Sequence, residues 1–307
     1  MHDSILETVG SPLVRLSSPP GTTVAAKVES FNPSGSVKVR PAREMIAAAE
    51  RAGDIESGDT LVEATSGNTG IGLALAAAAK GYDLEIVMPD SVSTERRALI
   101  RAYGATVELV EDGMEAANAR AREIADSARA YLISQFENPA NPLAHERTTA
   151  PEIRDQIGDR EVDAFVATVG TGGTISGTAR GLLDTYPDMT VVGVEPAANP
   201  FLSTGQFAEH DYQGMGPDFL PETLDRSVID VVESVALEDA EAACRRLAAE
   251  EGILAGQSSG AAVIAARRIA ERYASSETAP PGDDSEYVVV TLLPDTGERY
   301  LSTGLFG

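Results

Sequence analysis

Apolar and polar positions follow two rhythms along this chain. Nine short apolar runs, at 23–30, 60–64, 84–89, 106–110, 130–133, 163–169, 190–195, 228–232 and 287–293, have the length and composition of strands. Ala-rich segments of helical character lie between them, at 39–52, 70–80, 93–102, 114–128, 144–157, 174–185, 239–251 and 259–274. Apolar strands that alternate with helices predict parallel sheets covered on both faces, an α/β protein. The segment 275–286 (SSETAPPGDDSE), rich in Pro, Asp and Ser, predicts irregular chain, and no internal repeat is present.

Composition narrows the partners. With 307 residues, 43% of them hydrophobic, the chain can bury a sizeable core, in two domains or one large one. Its 48 acidic against 24 basic residues leave a formal charge of −24, a surface that repels nucleic acid and anionic membranes. No apolar run reaches the ~18 residues that would suggest a membrane span. The N-terminal stretch MHDSILETVG lacks the apolar core of a secretory leader. The single cysteine, Cys244, excludes an internal disulfide, and its helical setting reads as a small buried hydrophobe. A cytoplasmic protein is expected. Scattered acids, scarce lysine and small side chains suggest a chain kept soluble in high salt, where repulsion is screened.

Ligands in open α/β sheets sit at the carboxyl ends of strands, and three loops there have unusual composition. In EATSGNTGIGLA (63–74) a strand ends, small polar residues follow, and a helix begins near Thr69. Open backbone N–H groups, the helix dipole and the Ser, Thr and Asn donors suit a carboxylate. In VGTGGTISG (169–177) glycines let the backbone close around a phosphate while threonine hydroxyls donate to its oxygens. The spacing matches neither the dinucleotide fingerprint nor the P-loop. In GQSSG (256–260) a third such turn opens an amphipathic helix. Taken alone, each loop also reads as an N-capping turn or a structural glycine turn.

Lysine discriminates between these readings. Only Lys27, Lys38 and Lys80 occur, and Lys38 lies in the Gly/Ser turn NPSGSVKVR (32–40). A helix start near Ser36 would place positive dipole beside that amine and help keep it neutral. Lysine, unlike arginine, can lose its proton and attack a carbonyl. A carbonyl cofactor with a phosphate handle, pyridoxal 5′-phosphate, meets the demands of all these features together.

These motifs occur in order with SPLVRL (11–16), SQFENPANPLAHERTTAPEI (134–153), VEP (194–196), QGMGPDFLP (213–221), EGILAGQSSGAA (251–262) and LPDTGERYLST (293–303). Over nearly the whole chain the set resembles the cysteine synthase (O-acetylserine sulfhydrylase) and cystathionine β-synthase family of fold type II pyridoxal-phosphate enzymes. The resemblance implies two open, twisted, parallel-rich α/β domains with the active site in the cleft between them. Residues 1–35 and 143–307 would form a large cofactor-binding domain. Residues 36–142 would form a small mobile domain that closes over substrate. Lys38 would form the Schiff base and shuttle protons, and Asn68 would bond the ring hydroxyl. Gly170, Thr171, Gly172, Gly173 and Thr174 would hold the phosphate, and Ser258 would meet the pyridine nitrogen. Thr65, Ser66, Thr69 and Gln135 would bind the substrate α-carboxylate, with Gly214, Met215 and Gly216 bordering its side chain. A hydroxyl partner such as Ser258 does not keep the ring nitrogen protonated, which favours α,β-elimination over transamination.

The implied reaction is β-replacement: L-cysteine from an activated serine, with O-acetyl-L-serine favoured, and sulfide, through an aminoacrylate. A homodimer is implied, and the C-terminal tail of a serine acetyltransferase is a candidate partner. His145 reads as structural, and His2 and His210 suggest no metal site. Val39 follows Lys38 where relatives often carry Asp or Cys, and VGSPL is one residue shorter than the usual opening motif. O-phosphoserine as donor would call for a further basic residue at the pocket, with Arg226 the nearest in sequence. The motifs also leave open cystathionine β-synthase chemistry, a serine/threonine dehydratase and a non-catalytic synthase-like binding protein.

Overall fold

Two parallel-rich sheets carry the chain in the computed structural model, which describes residues 1–128, 130–276 and 286–307. The strands are β1 (Leu13–Leu16), β2 (Thr22–Val28), β3 (Thr60–Ala64), β4 (Asp83–Pro89), β5 (Thr106–Val110), β6 (Tyr131–Leu132), β7 (Ala164–Thr168), β8 (Thr190–Pro196), β9 (Val231–Val235) and β10 (Tyr287–Leu293). The helices are α1 (Val39–Ala52), α2 (Asn68–Lys80), α3 (Thr94–Ala102), α4 (Gly113–Ala128), α5 (Ala140–Ala144), α6 (Ala150–Ile157), α7 (Gly173–Leu183), α8 (Phe201–Thr204), α9 (Leu237–Glu251) and α10 (Gln257–Ala274). The larger sheet runs β1-β2-β10-β7-β8-β9, and the smaller runs β5-β4-β3-β6. Every pairing is parallel except that of β1 with β2.

Burial explains why the central strands are apolar without alternation. All seven residues of β2 are buried, because helices cover both faces of the larger sheet. Ala240 and Leu247 of α9 and the alanines of α10 pack on one face. Ile153 and Ile157 of α6, Ile175, Ala179 and Leu182 of α7 and Phe201 of α8 pack on the other. The smaller sheet is covered by α1 and α2 on one side and by Ala117, Ala121 and Ile124 of α4 on the other. Among the described residues no helix is long and apolar enough to cross a membrane.

A buried ion cluster pins the start of α1. Arg40 is fully buried, with Nε and Nη2 bonding Glu29 at 2.7 and 2.9 Å and Nη1 and Nη2 bonding Glu152 at 2.6 and 2.7 Å. Lys27 Nζ adds a contact of 2.7 Å to Glu152. Removing one partner from such a group typically costs ~3–5 kcal/mol, because the other charge is left buried and unpaired. The cluster therefore holds α1, and Lys38 just before it, against the end of β2 and against α6.

The structure moves several expected boundaries. The run 228–232 is no strand at its start: Arg226–Val228 forms a 3-10 turn and β9 begins at Val231. Register with β8 sets this, since Asp230 Oδ2 accepts from Val191 N at 2.8 Å and Val231 pairs with Val192. The helix expected at 144–157 begins earlier, at Ala140, and includes a π-helical turn at His145–Thr149. The helix start placed near Ser36 falls at Val39, because Ser36 is held in a bridge with Asp295. Leu13–Leu16 forms an antiparallel edge strand that its mixed pattern did not announce. Of the stretch expected to be irregular, residues 277–285 lie outside the described residues.

Candidate active site

The carboxyl ends of β3, β7 and β10 open onto one cleft of about 830 Å³. Lys38 lies in its wall, at the N-cap of α1. The helix can sit so close to α2 because of Gly72: a Cβ there would fall 2.8 Å from the Lys38 carbonyl. Desolvation lowers the Lys38 amine to about 8, opposed in part by the charge of Asp295, so far more of it is neutral near pH 7 than for an ordinary lysine.

Asn68 opens α2 and faces the same space. Its Nδ2 donates to Asp295 Oδ2 at 2.7 Å, and its Oδ1 accepts from Arg299. Those two partners fix which end of the amide is which, leaving one N–H of Asn68 for a ligand. Asp295 also accepts from the Tyr300 hydroxyl at 3.0 Å, while its Oδ1 has no partner among the described residues. Burial raises the Asp295 carboxyl, with Asn68 and Arg299 working against that shift. The motif LPDTGERYLST contains both Asp295 and Arg299, yet nothing in its spacing assigns them a partner 227 or 231 residues away.

The turn after β7 is built on glycines. Gly172 has φ +82°, and a Cβ on it would fall 2.4 Å from Leu224 Cβ. A Cβ on Gly173 would fall 2.1 Å from Asn141 Oδ1. Gly170, Thr171, Gly172 and Thr174 line the cleft, whereas Gly173 lies behind it as the first residue of α7. Asn141 Nδ2 donates to Thr171 Oγ1 at 3.2 Å and to the Gln135 carbonyl at 2.8 Å, tying this turn to the opposite wall. His145 Nδ1 pairs with Thr149 Oγ1 at 2.9 Å and Nε2 with Thr174 Oγ1 at 3.2 Å. Burial, with the charges of Arg40 and Lys38 adding to it, keeps His145 neutral, so it orients the Thr174 hydroxyl. The π-helical turn aims the imidazole there, a use of such turns common at functional sites.

The turn after β3 is built on side chains. Thr65 Oγ1 accepts from Gly67 N at 3.2 Å, and Thr69 Oγ1 donates to Gln135 Oε1 at 2.6 Å. The Ser66 carbonyl accepts from Arg96 at 3.2 Å, and the same guanidinium reaches Gln213 Oε1 at 2.6 Å across the cleft. Ser258, second residue of α10, lines the wall, as do Gly214 and Gly216. Met215 borders the cleft but is packed into the core beside Tyr212. Arg226 is elsewhere, donating to the Leu202 carbonyl at 2.8 Å. Among the described residues no His, Cys, Asp or Glu group is arranged for a metal, and buried Cys244 donates to the Gly256 carbonyl at 3.1 Å.

These residues suit pyridoxal 5′-phosphate on three structural counts. The glycines at 170, 172 and 173 keep Cβ atoms out of the turn at the α7 N-terminus, where the helix dipole favours a phosphate. The lysine amine is depressed enough to react with an aldehyde. Asn68 holds an oriented donor in the wall of the same cleft.

The family model described as pyridoxal-phosphate dependent enzyme matches residues 6–295. Cysteine synthase of Staphylococcus aureus (strain Mu50 / ATCC 700699) is 46% identical over 99% of this chain and 97% of its own length. O-ureido-L-serine synthase of Streptomyces lavendulae is also 46% identical, over 100% and 93%. A crystal structure of O-ureido-L-serine synthase superposes with a TM-score of 0.92 at 45% identity, covering 100% of this chain and 95% of the other.

Proposed function

The chain belongs to the pyridoxal-phosphate dependent enzymes, and we propose that among them it makes L-cysteine by β-replacement from O-acetyl-L-serine and sulfide. The observation that carries this reading is the placement of Lys38, with its depressed amine, between a glycine-cradled turn and a hydroxyl-rich one. When bound, the cofactor supplies an electron sink that acidifies the α-carbon proton of an attached amino acid and lets its β-substituent leave.

The protein's groups do the rest. Gly170, Thr171, Gly172 and Thr174 hold the phosphate, with Gly173 shaping the turn beneath them and His145 aiming the Thr174 hydroxyl. Asn68 donates to the ring hydroxyl and Ser258 faces the ring nitrogen. Thr65, Ser66, Thr69 and Gln135 hold the substrate α-carboxylate, which orients the α-proton toward Lys38. The neutral Lys38 amine takes that proton as general base and returns it at the end of the cycle. Residues 36–142 close as a unit over the substrate and exclude water, with Arg96 and Gln213 meeting across the opening. Gly214 to Gly216 border the β-substituent, and the Phe136–Phe219 pair, centroids 5.0 Å apart, screens the pocket mouth.

A second reading concerns the nucleophile. One relative at the same 46% identity is an O-ureido-L-serine synthase, and β-replacement giving that product calls for a hydroxyurea nucleophile. Glu115, Asn118 and Arg122 of α4 line the outer cleft and offer the donors and acceptors a urea group needs. The test is a matrix of donors (O-acetylserine, O-phosphoserine, serine) against sulfide, thiosulfate, homocysteine and hydroxyurea, run in molar salt. The proposal expects the highest kcat/KM for O-acetylserine with sulfide and no turnover in Lys38→Ala. A preference for hydroxyurea, or for serine with homocysteine, overturns the cysteine assignment.

A further inference from the structure

Directly behind the Thr69–Gln135 pair lies a buried acid, Glu63 of β3, only 4% exposed. Its Oε1 is 3.4 Å from Gln135 Nε2, and its Oε2 has no hydrogen-bond partner among the described residues. The backbone N–H groups of Ser134 and Gln135 face it, Ile86 of β4 lies beside it in register, and Glu137 adds like charge. Ser134, at φ +54°, turns the chain after β6 so that Gln135 points back toward β3. Those N–H groups and the Gln135 amide favour the ionised form, but near-complete burial outweighs them. Desolvation accordingly pushes Glu63 up to about 8, and the acid carries its proton at neutral pH.

We propose that Glu63 is a positioning residue: its proton decides which end of the Gln135 amide faces the cleft, and so whether Thr69 and Gln135 can bind a carboxylate. With Glu63 ionised, Nε2 of Gln135 donates to Glu63 and Oε1 accepts the Thr69 hydroxyl proton. The Thr69 donor is then consumed, and a carbonyl oxygen faces the ligand. With Glu63 protonated, the amide turns end for end. The acid donates to Oε1, Nε2 donates to Thr69 Oγ1, and both the Thr69 hydroxyl proton and the second N–H of Gln135 are free for an anion. One proton is gained at Glu63, and the two ends of the amide are alike in size, so only hydrogen bonds are exchanged. Carboxylate binding is thereby coupled to a proton that the chemistry itself never uses.

The inference rests on Thr69 and Gln135 being the carboxylate site, and the test separates the two. The probe is L-alanine, which has no β-substituent to lose, titrated into the holoenzyme and followed by its absorption change. Relative to Glu63→Gln, the affinity of the wild type falls roughly tenfold between pH 7 and pH 9, as the competent fraction shrinks. Glu63→Gln keeps the pH 7 affinity and loses that component of the pH dependence. An unchanged pH profile in Glu63→Gln overturns the proposal. Should that variant not fold, Gln135→Ala decides: loss of the same pH component supports the coupling, and its retention overturns it. If Gln135→Ala binds L-alanine as tightly as the wild type at pH 7, the carboxylate assignment itself fails.

Discussion

The two turns proposed to receive anions are held in place by different physics. After β7, the shape is enforced by close packing: Gly172 fits against Leu224 and Gly173 against Asn141 with no room for a Cβ. After β3, it is enforced by side-chain hydrogen bonds from Thr65, Asn68 and Thr69, and beyond its chain neighbours nothing lies within 4 Å of where a Gly67 Cβ would be. The first turn cannot change without unpacking the core around it. The second can rearrange by exchanging hydrogen bonds of similar strength. A packed cradle suits a cofactor that stays through many cycles, and a bonded one suits a substrate that enters and leaves in each.

Substitutions that leave the chemistry untouched can break this contrast. The largest effect is expected from Gly173→Ala, whose methyl would displace the Asn141 amide and with it the link between both walls. Overpacking of this kind costs ~1–3 kcal/mol, and the variant should unfold at lower temperature and lose cofactor on dialysis. Full cofactor retention there would mean that the glycine turn is as adaptable as its counterpart. Thr69→Val removes a hydroxyl at nearly constant shape. Losing a hydrogen bond to a charged group costs ~1.5–3 kcal/mol, so the KM for the amino-acid donor should rise about tenfold to a hundredfold with cofactor retained. Gly67→Ala should do least, because φ is −139° and the neighbouring space is open; stability should change by under ~0.5 kcal/mol. A loss of cofactor in that variant would show that the side-chain turn too is packed.

Particular residues show how far the chain could be read unaided. Apart from the edge strand β1, whose mixed pattern hid it, the strands of the larger sheet were legible because short apolar runs bounded by Gly or Pro seldom form anything else in an α/β chain. The exception, 228–232, slipped by three residues because its register is set by β8 and by the Asp230 side chain, and local composition does not encode a partner. The three helix-opening turns and the rare lysine stood out by composition alone. Asp295, Asn141 and Glu63 did not, although each lies in or beside a motif. Asp295 meets Asn68 across 227 positions, and Glu63 meets Gln135 across 72. Val39 after Lys38 is fully buried in the core of the smaller sheet, which accounts for an apolar residue there.

The amino-acid sequence by itself determined the α/β class, singled out Lys38 as the candidate reactive lysine, and set the types of group that line the cleft. Periodicity, glycine content and residue chemistry are local properties, carried by neighbours along the chain. Tertiary structure alone decided which of those groups are charged and which way they point. Desolvation lowers Lys38 and raises Glu63, and partners from distant segments orient Asn68, Thr174 and Gln135. Protonation and donor direction depend on what surrounds a group in space, and that exists only once the chain has folded.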